Sequence, residues 1–216
     1  MKTGLAEKIM FPSGALFLEG LVFHGQGSKA AVISHPHPLY GGDMNNQVVG
    51  LMAGVFQELG WTTLCFNFRG VGRSQGDFDQ GEGEQEDVSA AVAFLKGLGI
   101  EHPIVLAGYS FGAWVNGRTA QNIPEAGLSI LVSPPLAMMD FSFLEADSKT
   151  GLIIAGDQDP YCPLKDLRKL VDKMKTPPPL KIIPGADHFF SHGSVELVTA
   201  IKESPIGKDS SEKHGI

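Results

Sequence analysis

The chain has 216 residues, a length that suits one well-filled domain and is short for two separate cores. Hydrophobic residues make up 43% of it and charged residues 19%, as is ordinary for a globular protein with a large apolar core. The formal net charge of −7, without any long run of Lys or Arg, argues against binding to nucleic acid or to an anionic membrane and favours a small substrate.

The first residues contain no unbroken apolar stretch, and nowhere do 18 apolar residues run together. Secretion and membrane spanning are therefore not expected, and the expected location is the cytoplasm. The expected oligomeric state is a monomer or a homodimer. Cys65 and Cys162 lie far apart in the sequence, and a disulfide between them is not expected.

The first predicted elements are two extended segments. Residues 15–23 suit a strand that pairs antiparallel at a sheet edge, and residues 30–35 form a short apolar run typical of a strand buried on both faces. Further strands are predicted at residues 62–68, 103–109, 129–133, 151–156 and 180–184.

Helices are predicted between these strands. They are expected from Asn45 or Asn46 to Gly60, from Glu84 to Gly97, directly after Ser110, at residues 164–175, and near residues 195–202. Strands separated by single helices predict an α/β protein with a mostly parallel, doubly wound sheet. We expect one domain over residues 1–203 and a disordered polar tail at 204–216.

Two stretches match the Gly-x-Ser-x-Gly pattern of a nucleophilic serine, GYSFG around Ser110 and GRSQG around Ser74. A nucleophile on such a turn needs a buried strand directly before it and a helix directly after it. Ser110 follows the apolar run at 104–107 and precedes a helix-compatible segment, whereas loop residues surround Ser74. The sequence therefore favours Ser110 as a nucleophile and Ser74 as a loop residue.

A serine nucleophile needs a histidine base and a carboxylate that orients the histidine, in the chain order Ser, Asp, His for this architecture. The loop after residues 151–156 offers Asp157 and Asp159, and the loop after 180–184 offers His188 and His192. Both loops leave the carboxyl ends of predicted parallel strands, the same edge as Ser110.

With these motifs the chain resembles the α/β-hydrolase superfamily, and especially its small dienelactone-hydrolase-like branch with an HPHP-x-x-GG loop. The matching stretches are SHPHPLYGGDMNN, FNFRGVGRSQG, GYSFGAW, GDQDP and PGADHFF, within residues 34–190. The resemblance implies an α/β-hydrolase fold with flanking helices. It further implies that Asp159 is the acid, that His188 is the base, and that the Ser74 loop is structural.

Other interpretations of the acidic residues and histidines stay open. Asp157 shares a loop with Asp159, and Asp140 is a weaker third choice for the acid. Asp187 adjoins His188, and neighbouring side chains on an extended segment point apart. His192 suits a surface or helix-start position.

The oxyanion hole is expected to use the backbone amide of Phe111 and one amide from the HPHPLYGG loop. Because the two prolines of this loop have no amide hydrogen, the second donor is one of His37, Leu39 and Tyr40, with Leu39 as the first choice.

No metal or cofactor is expected. His35 and His37 are spaced like a metal pair but lack a third ligand nearby in sequence, so they suit loop shaping. The acidic stretch from Asp77 departs from the calcium-loop pattern at Gly81 and Glu82 and suits a helix N-terminus.

The predicted function is hydrolysis of a small carboxylic ester through a Ser-His-Asp triad and an acyl-enzyme intermediate. The alternatives are a thioesterase or small peptidase with the same residues, or a non-catalytic binding module. The short segment between residues 133 and 151 leaves no room for a cap domain, so the site is expected to be open. An acyl pocket could include Met138, Met139, Phe141 and Phe143, or these side chains could be plain core.

Overall fold

The computed structural model describes residues 6–206. Within them one sheet contains eight strands, β1 (Glu7–Ser13), β2 (Leu16–Phe23), β3 (Ala30–Ser34), β4 (Thr62–Phe66), β5 (Ile104–Tyr109), β6 (Ala126–Val132), β7 (Thr150–Gly156) and β8 (Leu180–Ile183). The α-helices of the same residues are α1 (Gln47–Glu58), α2 (Glu82–Gly97), α3 (Phe111–Ala120), α4 (Leu164–Lys173) and α5 (Ser194–Lys202). The predicted α/β architecture is confirmed.

The strands lie in the order β1-β2-β4-β3-β5-β6-β7-β8. The pairs β1/β2 and β2/β4 are antiparallel, and every other neighbouring pair is parallel. This order places β5, which leads into Ser110, in the middle of the sheet. The loops after β5, β7 and β8 leave the sheet at the same edge, because these strands run in the same direction.

The core lies on both faces of the sheet. Side chains of β3 alternate between the two faces, with Val32 packed on the side of α2, α3 and α4, and Ile33 packed on the side of α1 and α5. Cys65 and Cys162 belong to these opposite layers, and both are free thiols. Burial on both faces explains why the central strands appear in the sequence as continuous apolar runs.

The edge of the sheet differs from the prediction. The segment predicted as an edge strand, now β2, has β1 on its outer side, with Phe11 paired to Leu18. The sequence pattern did not predict β1 because Phe11 is its one fully buried hydrophobic residue and Pro12 interrupts it. A strand with so few buried positions carries little alternation.

The ends of several elements also differ from their predicted positions. Helix α2 begins at Glu82 instead of Glu84, because the carboxylate of Glu84 accepts a hydrogen bond from the Gly81 amide (2.7 Å) and closes the first turn. At the other end of the chain Ile206 is buried against the α1 and α5 layer, so the fold extends beyond the predicted boundary at 203. Residues 207–216 of the predicted tail lie outside the described residues.

The connection between β6 and β7 contains a short 3₁₀ helix, Ser142–Ala146, and no α-helix or strand, as its length predicted. Over residues 6–206 none of the helices has the length and apolar character needed to cross a lipid bilayer.

Candidate active site

Ser110 sits on the tight turn between β5 and α3. Its backbone adopts φ +56° and ψ −117°, a left-handed conformation that is costly for a residue with a side chain. The turn brings strand and helix so close that a Cβ on Gly108 would lie 2.3 Å from the Gly112 carbonyl oxygen. A Cβ on Gly112 would lie 2.4 Å from the Ser34 carbonyl oxygen. Both glycines of GYSFG are therefore required for packing.

His188, in the loop after β8, contacts Ser110. Its Nε2 lies 3.0 Å from Ser110 Oγ, and its Nδ1 lies 2.8 Å from Asp159 Oδ2. Because an ionised carboxylate can only accept, Nδ1 carries the hydrogen and donates it to Asp159. In the neutral ring Nε2 is then the acceptor, and the Ser110 hydroxyl donates to it. The three predicted residues form one continuous hydrogen-bonded series.

Asp159 is buried and is held by its own loop. Its Oδ1 accepts hydrogen bonds from the amides of Tyr161 (2.8 Å) and Cys162 (3.1 Å), which leaves Oδ2 for His188. Asp157 is exposed and instead accepts from the Gly185 amide at 2.7 Å. Of the two aspartates in this loop, Asp159 is the one that contacts His188.

The other acidic candidates serve local turns. Asp187 accepts from the amides of Phe189 and Ser191, and the bond from Ser191 lowers its pKa below the usual range. Asp140 accepts from the amide and hydroxyl of Ser142, which likewise lowers its pKa. His192 is exposed in the loop before α5.

Tyr109, the residue before Ser110, also holds His188. Its hydroxyl donates to the His188 carbonyl oxygen at 2.9 Å, and its ring lies 5.4 Å from the imidazole. Burial raises the pKa of Tyr109 above its ordinary value, so the hydroxyl stays protonated and remains a donor. Sequence reasoning missed this contact because the two residues are 79 positions apart and no spacing rule links them.

The predicted oxyanion loop folds into a 3₁₀ turn, Pro38–Tyr40. The Leu39 amide donates to His37 Nδ1 (3.2 Å) and the Tyr40 amide donates to the His37 carbonyl oxygen (3.1 Å). Leu39, the first choice from the sequence, therefore has its amide engaged within the loop, as does Tyr40. Among the described residues, the His37 amide has no hydrogen-bond acceptor, and neither does the Phe111 amide at the start of α3.

The two histidines of this loop shape it. His35 is fully buried, its Nδ1 donates to the Pro36 carbonyl oxygen (2.6 Å), and its Nε2 accepts from the Phe68 amide (3.0 Å). Burial lowers the pKa of His35 to about 4. The ring of His37 packs 4.9 Å from that of Phe111. Within residues 6–206 no three His, Cys, Asp or Glu side chains are grouped as a metal site requires.

Ser74 occupies a loop away from this series, as predicted. Its hydroxyl donates to the Asn67 carbonyl oxygen (2.7 Å) and accepts from the Glu19 amide (2.9 Å). These bonds connect the loop after β4 to β2, so the Ser74 hydroxyl has a structural role there.

A cavity of about 500 Å³ opens over Ser110 and His188. Met138 and Met139 contribute to its wall. Phe141 and Phe143 do not line this cavity. They stack on each other at 5.7 Å, with Phe141 in the core and Phe143 packed against it. The predicted apolar cluster is therefore divided between the cavity and the core.

The sequence model of the alpha/beta hydrolase family matches residues 21–152 of this chain. An uncharacterised protein of Rickettsia prowazekii is 38% identical over 194 residues, covering 85% of this chain and 81% of its own.

Two solved structures are also similar. A protein of unknown function from Agrobacterium tumefaciens is 40% identical, with a TM-score of 0.83 over 89% of this chain and 92% of its own. An alpha/beta serine hydrolase without a lid, from Xanthomonas campestris, is 30% identical, with a TM-score of 0.85 over 92% of each chain.

Proposed function

The chain belongs to the alpha/beta hydrolase family, and from this premise we propose that it hydrolyses a carboxylic ester through Ser110, His188 and Asp159. The observation that carries the proposal is the unbroken series of hydrogen bonds from Asp159 through His188 to Ser110, at the floor of an open cavity. Placement in the dienelactone-hydrolase-like branch stays a prediction from the motifs.

In the first step the Ser110 hydroxyl oxygen attacks the ester carbonyl carbon while its proton passes to His188 Nε2. The imidazolium that forms is stabilised by Asp159, which also holds the ring in the required tautomer. When the tetrahedral intermediate collapses, the C–O bond to the alcohol breaks and His188 returns the proton to the leaving oxygen. Water then attacks the acyl-enzyme with His188 again as base, which releases the acid and restores Ser110.

The negative oxygen of the tetrahedral intermediate needs two donors. The amide of Phe111 lies at the N-terminus of α3, next to the nucleophile, and meets this need. For the second donor we propose the His37 amide in place of Leu39, because the amides of Leu39 and Tyr40 are engaged inside the loop. Each such donor contributes on the order of 100- to 1,000-fold in rate.

The nucleophile is tested by Ser110→Ala. We expect the variant to lose p-nitrophenyl acetate hydrolysis by about 10⁴-fold or more and to lose labelling by a fluorophosphonate probe, because the attacking oxygen is gone. Ser74→Ala is the matched control and should keep both, although it loses two loop hydrogen bonds. Full turnover by Ser110→Ala would refute the proposal, and so would wild-type protein that the probe does not label.

A further inference from the structure

The cavity above Ser110 has no formal charge in its wall. Of the described residues that line it, none is Lys, Arg, Asp or Glu, and its titratable groups are the rings of His37, Tyr40, Tyr109, Tyr161 and His188. Burial lowers the pKa of His37, so this ring is neutral near pH 7. A carboxylate on a bound molecule would therefore lose water without gaining an ion pair.

The charges nearest in sequence to the cavity wall are carboxylates. Asp140 follows Met139, which lines the cavity, and Asp187 precedes His188. Both have pKa values lowered by hydrogen bonds from serine residues, so both are ionised at neutral pH. Arg118 on α3, a cation that interacts with Asp140, lies over the Trp114 ring and pairs with Glu82. Among the residues that line the cavity and their neighbours in sequence, an anionic ligand therefore finds carboxylates and no Lys or Arg.

The mouth of the cavity is apolar and largely aromatic. Four of its lining residues are large apolar side chains that stay exposed, Tyr40 (75%), Phe189 (61%), Met138 (53%) and Tyr161 (39%). The rings of Tyr161 and Phe189 lie 4.8 and 5.6 Å from the His188 ring, both edge-on to it. We call these four residues, three of which are aromatic, the aromatic rim. All four line the same cavity as Ser110.

The volume of the cavity also favours a bulky apolar group. Sites for small organic ligands measure roughly 300 to 1,000 Å³, and about 500 Å³ is far more than a two-carbon acyl group fills. An apolar ring in the remaining space would cover part of the rim and displace water that gains few hydrogen bonds there.

We infer, on the basis of the proposed function, that the natural substrate is an uncharged ester carrying an aromatic or similarly bulky apolar group. Esters that carry a carboxylate are discriminated against. The charge-free wall, the carboxylates that adjoin it in sequence and the aromatic rim each support this substrate class.

The first experiment compares phenyl acetate, 4-acetoxybenzamide and 4-acetoxybenzoate on wild-type protein at pH 7. The last two have the same shape, and the benzoate alone adds a charge. We expect kcat/KM for 4-acetoxybenzoate to be about 100-fold lower than for the neutral amide, since its carboxylate finds no partner. Values within about threefold would overturn the inference while leaving the nucleophile assignment, tested by Ser110→Ala, intact.

A charge placed in the wall provides the reciprocal test. Met138→Lys should reduce the discrimination between the amide and the benzoate by about tenfold, because an ammonium group then faces the ligand. Met10→Lys, on the exposed surface of β1, is the matched control and should leave the ratio unchanged. An equal effect of both lysines would mean that overall charge, not the cavity, sets the ratio.

The aromatic preference is tested with benzyl acetate and ethyl acetate. Tyr40→Ala should lower the ratio of their kcat/KM values by about tenfold, whereas Phe17→Ala, an exposed ring on β2 outside the cavity, should not change it. A constant ratio accompanied by a changed oligomeric state in size-exclusion chromatography would assign the rim to protein contact and overturn the inference. If wild-type protein hydrolyses none of these esters and resists the fluorophosphonate probe, both the inference and the proposed function are wrong.

Discussion

At the scale of single residues, the two oxygens of Asp159 have separate partners. Oδ1 is bound by two backbone amides of its own loop, and Oδ2 is left to accept from His188. The amides hold the carboxylate in place before any substrate arrives, and the carboxylate in turn holds the histidine. The family resemblance implied Asp159 as the acid, with Asp157 and Asp140 as alternatives. In the structure Asp159 contacts His188, whereas Asp157 accepts from the Gly185 amide.

Asp159→Asn tests this division. The single oxygen of asparagine is needed by the Tyr161 and Cys162 amides, so its NH2 group faces His188 Nδ1 and favours the wrong ring tautomer. We therefore expect kcat to fall on the order of 10³- to 10⁴-fold. Asp157→Asn keeps an oxygen for the Gly185 amide and should retain kcat within about threefold. Steady-state kinetics on p-nitrophenyl acetate measures both, and a larger loss for Asp157→Asn would reverse the assignment.

His35 gives the fold a pH dependence of its own. Its pKa is lowered by burial to about 4 in the folded protein, against about 6.5 in an unfolded chain. Between these values the unfolded chain binds more protons, so stability falls as the pH drops from about 6.5 to 4, by on the order of 3 kcal/mol.

Urea unfolding at pH 7 and pH 4.5 measures this dependence. His35→Gln should be less stable than wild type at pH 7 yet lose less stability between the two pH values. His24→Gln, an exposed histidine, should behave as wild type. The same loss of stability in all three proteins would show that His35 is not its source.

At the scale of elements, the turn between β5 and α3 is the best-predicted part of the molecule. A buried apolar run, a glycine on either side of the serine and a helix-compatible segment are all local features of the sequence, and the turn needs each of them. Strand β1 was missed for the opposite reason. It is recognised by its pairing with β2 and by one buried ring, and neither feature produces a local pattern.

Two glycine substitutions separate close packing from helix propensity. Gly112→Ala places a methyl group against the Ser34 carbonyl oxygen, so we expect a loss of about 1–3 kcal/mol in stability together with reduced activity. Gly50→Ala in α1 meets no atom within 4 Å and should raise stability by about 0.5–1 kcal/mol. Thermal unfolding measures both, and a stabilising Gly112→Ala would contradict the geometry of the turn.

At the scale of the whole molecule, a buried polar junction ties distant parts of the chain together. The carboxylate of Asp87 in α2 accepts from the Ser13 hydroxyl at the end of β1 (2.9 Å) and from the backbone amide of Arg69 (2.9 Å). The Arg69 guanidinium also donates to it. Asp87 is fully buried, so these hydrogen bonds replace the water that its carboxylate loses on folding.

Removing that carboxylate is expected to be costly. Asp87→Ala leaves the largely buried Arg69 without its main partner, and we expect a loss of about 3–5 kcal/mol in the free energy of unfolding. Glu86→Ala removes an exposed partner of the same guanidinium and should cost less than about 1 kcal/mol. Chemical denaturation checks the pair, and comparable losses would mean that the junction is not a buried one.

The sequence by itself determined the class of fold, the turn that carries Ser110 and the two loops that contain Asp159 and His188, because strand periodicity and turn glycines are local properties and chain order is given by the sequence directly. The tertiary structure alone decided how these residues meet. It brought Asp159, and not Asp157, to His188, bonded the Tyr109 hydroxyl to the His188 carbonyl oxygen, and engaged the Leu39 amide within its own loop. Each of these outcomes depends on distances between residues far apart in the chain or on competition for hydrogen bonds within a folded loop. The spacing of residues in the sequence predicts neither of these.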